Sequence, residues 1–92
     1  MVELLYHGTT LEYIDERFEK YGHYRQEGSK PVFLTDQREY AEEVAKVRAE
    51  QWQATPAVMV IDKSRLLNVR TEDGGIWPCC DRVEERTFAV YT

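Results

Sequence analysis

The sequence predicts a small α+β domain, two helices packed on a sheet, over residues 1–92 as a single unit. Three observations predict it. Apolar runs at Val2–Tyr6, Val32–Leu34, Ala57–Ile61 and Thr87–Tyr91 read as strands. Two longer stretches between them carry apolar residues at spacings of three and four, the period of a helix. The resulting order of strand, helix, strand, helix and then strands is that of helices laid on a sheet.

Val2–Tyr6 opens the chain as a strand, and His7-Gly8 marks its end. Thr9 stands three residues before Glu12, the spacing of a capping box, in which hydroxyl and carboxylate each satisfy a free amide. Leu11, Ile14, Phe18 and Tyr21 form the buried stripe of a helix over Leu11–Tyr21, and Gly22 is placed to end it in a left-handed conformation. Residues 22–31 form a polar connection holding His23, Tyr24, Arg25, Gln26 and Gly28. Connections of this length carry function more often than they merely join elements.

Pro31 introduces the short buried strand Val32–Leu34. Thr35 or Asp36 caps a second helix, with Glu39 again at capping-box distance from Asp36. That helix is predicted over Gln37–Gln53, with Ala41, Val44, Ala45 and Trp52 on its buried side and Arg48 close to that seam. Pro56 stops it, because the residue before a proline disfavours helix. Ala57–Ile61 is the clearest strand, and Asp62-Lys63-Ser64 turns the chain. Leu66–Val69 reads as an edge strand or one helical turn, Asp73-Gly74-Gly75 as a turn, and Ile76–Asp81 as irregular, broken by Pro78.

With 92 residues, the chain hides only about 60 to 65 per cent of its unfolded surface. The net charge of −5 argues against a general nucleic-acid binder, which needs a basic face to displace counterions. It leaves room for a phosphorylated ligand held by a few local cations such as Arg25 and Lys30. No basic leader, signal-like run or membrane-length apolar segment is present, so a cytoplasmic protein is expected. Cys79 and Cys80 are neighbours and read as reduced, partly buried thiols. A zinc pair completed by His7 or His23 is the alternative, and no metal is expected.

Two constellations carry chemistry. In His7-Gly8-Thr9 the imidazole can donate to a ribose hydroxyl, and the bare glycine lets a flat carboxamide reach the backbone. The plainer reading is a glycine turn followed by a threonine cap. Glu84-Glu85 precedes the last strand, where Glu85 shares a face with Thr87, Ala89 and Tyr91, opposite the core-facing pair Phe88 and Val90. A carboxylate there can hold ribose hydroxyls and favour an oxocarbenium-like state. The plainer reading is a solvated charge cluster at a strand end. Tyr24, Phe33, Tyr40 and Trp77 are candidate stacking walls, Phe33 being the one whose neighbours suggest core.

Taken in order, Leu5-Tyr6-His7-Gly8-Thr9, Val32-Phe33-Leu34-Thr35-Asp36, Ala57–Asp62 and Phe88-Ala89-Val90-Tyr91 resemble the ADP-ribosyltransferase superfamily, on its diphtheria-toxin and poly(ADP-ribose) polymerase side. A more distant likeness is to the RNA 2′-phosphotransferases, although Phe33 stands where those enzymes carry a second histidine. The resemblance implies a split antiparallel sheet cradling NAD in a cleft. His7 would hold the ribose, Gly8 would grip the carboxamide beside Thr9, and Tyr40 is the nearest candidate to stack on nicotinamide.

The family glutamate falls on Thr87, with Glu85 two residues earlier on the same face. Either Glu85 takes the role through a local bulge or the glutamate is absent. The expected function is thus an NAD-dependent glycosyl transfer. The nicotinamide–ribose bond is cleaved, His7 and Glu85 serve as catalytic groups, and Gly8, Thr9, Phe33, Tyr40 and Arg25 hold the dinucleotide. The acceptor, protein or nucleic acid, is left open, as is the oligomeric state. The alternatives are a non-catalytic ligand-binding or protein-interaction module on the same fold, or an RNA 2′-phosphotransferase-like enzyme.

Overall fold

The first strand is longer than the apolar run that announces it. The computed structural model describes residues 3–28, 30–66, 69–71 and 78–90. Within them β1 spans Leu4–Thr10 and β3 spans Pro56–Asp62. The two pair antiparallel throughout, from Leu4 opposite Asp62 to Thr10 opposite Pro56. His7-Gly8 therefore lies inside a strand and not at its end, a correction with a clear cause. The apolar partner is long enough to hold the whole ladder, which outweighs the local preference of one glycine for a turn.

Helix α1, Leu11–Tyr21, follows at once. Its N-cap is Thr10, whose Oγ1 accepts the Tyr13 N–H at 3.2 Å, one residue beyond the predicted Thr9. Glu12 does not complete a capping box. Its carboxylate takes the backbone N–H and the hydroxyl of Thr55 at 2.8 and 3.0 Å, tying the start of α1 to the segment entering β3. Gly22 closes the helix with φ 77° and its N–H on the Phe18 carbonyl, as the sequence predicts.

β2 is Val32–Phe33, and α2 runs over Arg38–Trp52. Neither Thr35 nor Asp36 caps α2; the N-cap is Gln37, and Thr35 Oγ1 accepts the Gln37 N–H at 3.1 Å, one position too early to serve the helix. Ala41, Ala45 and Ala49 are its buried residues, whereas Trp52, predicted buried, is 47 % exposed. Small side chains on this face let α2 lie directly on β1. A Cβ built on Gly8 would overlap the Ala41 carbonyl oxygen and stand 2.9 Å from the Ala45 nitrogen. That glycine is required by packing.

After β3 come a single 3₁₀ turn, Lys63–Arg65, then β4 at Arg70–Thr71, β5 at Pro78–Cys80 and β6 at Phe88–Val90. The described strands form two antiparallel three-stranded sheets, in the orders β1-β3-β6 and β2-β5-β4. The stretch read as irregular around Pro78 thus contains a central strand. Its proline is tolerated because it is the first residue, and the Pro78 carbonyl still accepts the Leu34 N–H at 2.8 Å. A bridge between Tyr6 and Thr35 joins the two sheets. Leu67, Asn68, the Asp73-Gly74-Gly75 turn, Trp77 and Tyr91 lie outside the described residues.

The side chains of β1 alternate between two layers. Leu5 faces the larger core with Met59, Ile61, Ile14, Tyr24, Val32, Leu34, Cys80 and Val83. Tyr6 packs on the other side with Val58, Ala41 and Ala45. Cys79 and Cys80 are both buried and unbonded to each other, and burial pushes the Cys80 thiol up to about 11. Val90, predicted to face the core beside Phe88, is 42 % exposed. The molecule is an α+β domain, and among the described residues no helix is long and apolar enough to cross a membrane.

Because the neighbour of Gly8 is helix backbone, no rotamer change can make room for a side chain there. Gly8→Ala is expected to cost about 3 kcal/mol, the upper end of ordinary overpacking. At about 4–8 °C per kcal/mol for a domain of this size, thermal unfolding should move down by more than about 10 °C. A melting curve followed by circular dichroism checks this.

Candidate functional site

β1 sends His7 into the larger core, where the imidazole is 3 % exposed and bonded through both nitrogens. Nδ1 donates to the Phe33 carbonyl at 2.7 Å, which fixes the tautomer, since a carbonyl can only accept. Nε2 is then the bare nitrogen, and it accepts from the Tyr24 hydroxyl at 2.8 Å. The Tyr24 and Thr9 hydroxyls lie 3.1 Å apart. With the Tyr24 proton directed at His7, Thr9 supplies the donor in that contact. The Gln26 amide approaches the same nitrogen at 3.5 Å.

Burial drives the His7 pKa from 6.5 down to about 4; the Phe33 carbonyl opposes this and the charge of Arg48 reinforces it. Burial likewise pushes the Tyr24 phenol well above its ordinary value. The network is therefore neutral at pH 7.

Gly8 contributes its backbone. The Val60 N–H donates to the Thr87 carbonyl, so at the Tyr6–Val60 pair the β3 backbone points toward the β6 side of the sheet. Tyr6 in turn exchanges both backbone bonds with Thr35, at 2.7 and 2.9 Å, on the opposite edge. Gly8, two residues on, has the same phase, so its N–H and C=O also point away from β3, toward that edge.

There the structure opens a cavity of about 310 Å³ lined by His7, Gly8, Phe33, Tyr40, Gln26 and Arg48, with Thr35 and Val44 on its walls. Phe33, expected in the core, is 52 % exposed and presents its ring here, because its carbonyl rather than its side chain is committed to His7. Tyr40, in the first turn of α2, borders the same cavity and is 49 % exposed. Arg48 is the sole charged side chain among the described lining residues, and its guanidinium lies 5.8 Å from the Trp52 ring.

A larger, open depression of about 750 Å³ adjoins it and shares Gln26, Phe33 and Arg48. It extends past Tyr13 and Trp52 to Glu12, Glu16, Glu27 and Lys30.

The structure thus brings His7, Gly8, Phe33 and Tyr40 together. It places the other predicted residues elsewhere. Thr9 is fully buried beneath Tyr24. Tyr24, a candidate stacking wall by sequence, is itself core and orients His7. Arg25 donates to the Gly28 carbonyl at 2.8 Å and covers the Tyr21 ring at 4.9 Å, outside the cavity lining.

Glu85 is ion-paired with Arg65. The register His7–Met59–Phe88 puts β6 two strands from His7, about 10 Å across the sheet, with Glu85 three residues further back along the chain. Among the described residues no group of three or more His, Cys, Asp or Glu side chains is placed to hold a metal ion. Arg48 and Gln26 were not assigned to the site from sequence. The signal for Arg48 was present, since it follows Ala41, Val44 and Ala45 at helical spacing and so falls at the rim of the buried stripe. Gln26 had none, being one polar residue in a polar loop.

No protein-family model, curated protein or solved structure matches this chain.

The neutral burial of His7 sets a direction for acid stability. The unfolded imidazole takes up its proton near pH 6.5, whereas the folded one resists until about pH 4. The unfolded state binds more protons across that window. The contribution is therefore whole above pH 6.5 and is lost as the pH falls toward 4, by up to about 1.4 kcal/mol per pH unit. Urea unfolding at pH 7, 6 and 5 should show this slope, and His7→Gln should flatten it. Tyr24→Phe, which leaves Nε2 without its hydroxyl donor, is expected to cost about 1–3 kcal/mol by the same assay at pH 7.

Proposed function

We propose that this chain binds a nucleotide of the NAD type in the cavity between β1, β2 and α2, and that it does so without cleaving it. The observation that carries the reading is the convergence there of an outward-facing glycine backbone, two exposed aromatic rings and one guanidinium. Each element suits one part of such a ligand. The N–H and C=O of Gly8 match the acceptor and donor of a planar carboxamide. The rings of Phe33 and Tyr40 offer faces to a heteroaromatic ring. Arg48 supplies the charge and fork geometry for a phosphate.

A volume of about 310 Å³ suits one half of a dinucleotide, and the adjoining depression, sharing Arg48, takes the other. The resemblance of Tyr6-His7-Gly8-Thr9 to the ADP-ribosyltransferase element supports the same choice of ligand.

The position of Glu85 is why binding is preferred to transfer. Stabilising an oxocarbenium-like state requires a carboxylate against the reacting ribose, and Glu85 lies at the far edge of the sheet, engaged with Arg65. His7 acts in this reading as a positioning residue. It is locked between Phe33 and Tyr24 and shapes the cavity floor.

An amide chemical-shift titration with NAD, nicotinamide mononucleotide and ADP-ribose tests the proposal. Shifts are expected at Gly8, Phe33, Thr35 and Tyr40, and Arg48→Gln should weaken the phosphorylated ligands about tenfold or more, the usual worth of a charge-assisted contact. Absence of shifts at millimolar ligand overturns the reading. Release of nicotinamide that disappears in Glu85→Gln would establish the transferase instead.

A further inference from the structure

The outer face of α2 carries a pattern that the cavity does not explain. Tyr40, Val44, Val47 and Gln51 recur at spacings of four, three and four, the heptad rhythm of a helix seam, and among the described residues none of them belongs to either hydrophobic core. Val47 is 53 % exposed and Tyr40 49 %. With Glu43 and Arg48 they line a shallow groove whose described residues all belong to α2.

The six groove residues form three mirror pairs about the point between Ala45 and Lys46: Tyr40 with Gln51, Glu43 with Arg48, and Val44 with Val47. Two antiparallel copies of the helix, related by a twofold axis through that point, would set each member of a pair against the other. Valine then meets valine at the centre, and Glu43 of each copy meets Arg48 of the other on both flanks. An isologous interface must be self-complementary in this way, since the same patch serves both sides. A parallel arrangement would place Glu43 against Glu43 and Arg48 against Arg48.

We propose that α2 is the dimerisation surface of this protein, packing antiparallel on α2 of a second copy. The helix is about 22 Å long, so the contact falls below the size of a standard stable interface, and a weak, concentration-dependent dimer is expected. Tyr40, Val44 and Arg48 also border the ligand cavity, so the second copy would close over its α2 rim. The dimer does not depend on the ligand reading, because its pairing rests on the groove alone.

The test is sedimentation of the ligand-free protein from about 10 µM to about 1 mM, spanning the affinity expected for so small a contact. A monomer–dimer equilibrium is expected. Val47→Glu, on an exposed site that leaves the fold unchanged by circular dichroism, should weaken it about tenfold or more by placing like charges at the axis. Glu43→Arg should do the same by facing Arg48. The double variant Glu43→Arg with Arg48→Glu should restore association, since each flank again pairs opposite charges. A monomer at every concentration overturns the proposal. So does a dimer indifferent to Val47→Glu, or a double variant no better than Glu43→Arg alone. The protein is ligand-free throughout, so failure of the dimer leaves the nucleotide reading standing, and the titration of the unaltered chain decides that separately.

Discussion

The close approach of α2 to β1 at Gly8 is the constraint on which the rest of the molecule depends. A helix normally stands 8–10 Å from what it packs against, held off by side chains on both partners. Here the strand offers no side chain and the helix offers alanines, so backbone nearly meets backbone. Consequently the face of α2 that carries Tyr40, Val44 and Arg48 comes down to the level of the strand edge. A cavity bounded by main chain on one side and by aromatic and basic side chains on the other is the direct result. Any larger residue at Gly8 would lift the helix and open that space to solvent.

The opposite face of β1 is organised by a second contact, the buried imidazole of His7. It joins three pieces of chain distant in sequence: β1, the carbonyl of Phe33 on β2, and Tyr24 in the loop after α1. In a domain this small the hydrophobic core alone holds the two sheets together only modestly. A neutral polar network with every member satisfied adds direction to that cohesion. The tautomer is settled by the Phe33 carbonyl, and this choice determines which way the hydroxyls of Tyr24 and Thr9 point. The same bond turns the Phe33 side chain outward, so a residue in a run of core-like neighbours becomes part of a cavity wall.

The elements that local chemistry controls were legible from sequence, and those settled by partners distant in the chain were not. Both helices, the Gly22 cap and the strand at Ala57–Ile61 follow from periodicity and one glycine. The continuation of β1 through Gly8 depends on a partner some fifty residues away, which no local pattern announces. The cap at Thr10 instead of Thr9 has the same origin, because pairing with Ala57 keeps Thr9 within the strand. Pro78 looked like a breaker and is the first residue of a central strand, permitted by a position that only topology reveals. Of the residues that line the cavity, His7, Gly8 and Tyr40 are legible in the sequence because residue type carries the signal. Arg25 was assigned to the ligand on charge alone, yet its guanidinium is satisfied by a local carbonyl and the Tyr21 ring.

Helix α2 divides its circumference among three tasks. Ala41, Ala45 and Ala49 face the strands; Tyr40, Val44 and Arg48 border the cavity; Val47 and Gln51 look outward with Glu43. At 3.6 residues per turn, fifteen residues give each stripe only three or four positions, so neighbouring stripes must share members. Tyr40, Val44 and Arg48 are the shared ones, bordering both the cavity and the exposed groove. Sharing has a physical consequence. A group that orders Arg48 from the cavity side restricts the rotamers with which it can meet a carboxylate from the other side, and the reverse holds equally. Ligand and partner would then be coupled through one guanidinium, with a sign set by whether its fork can serve both anions at once.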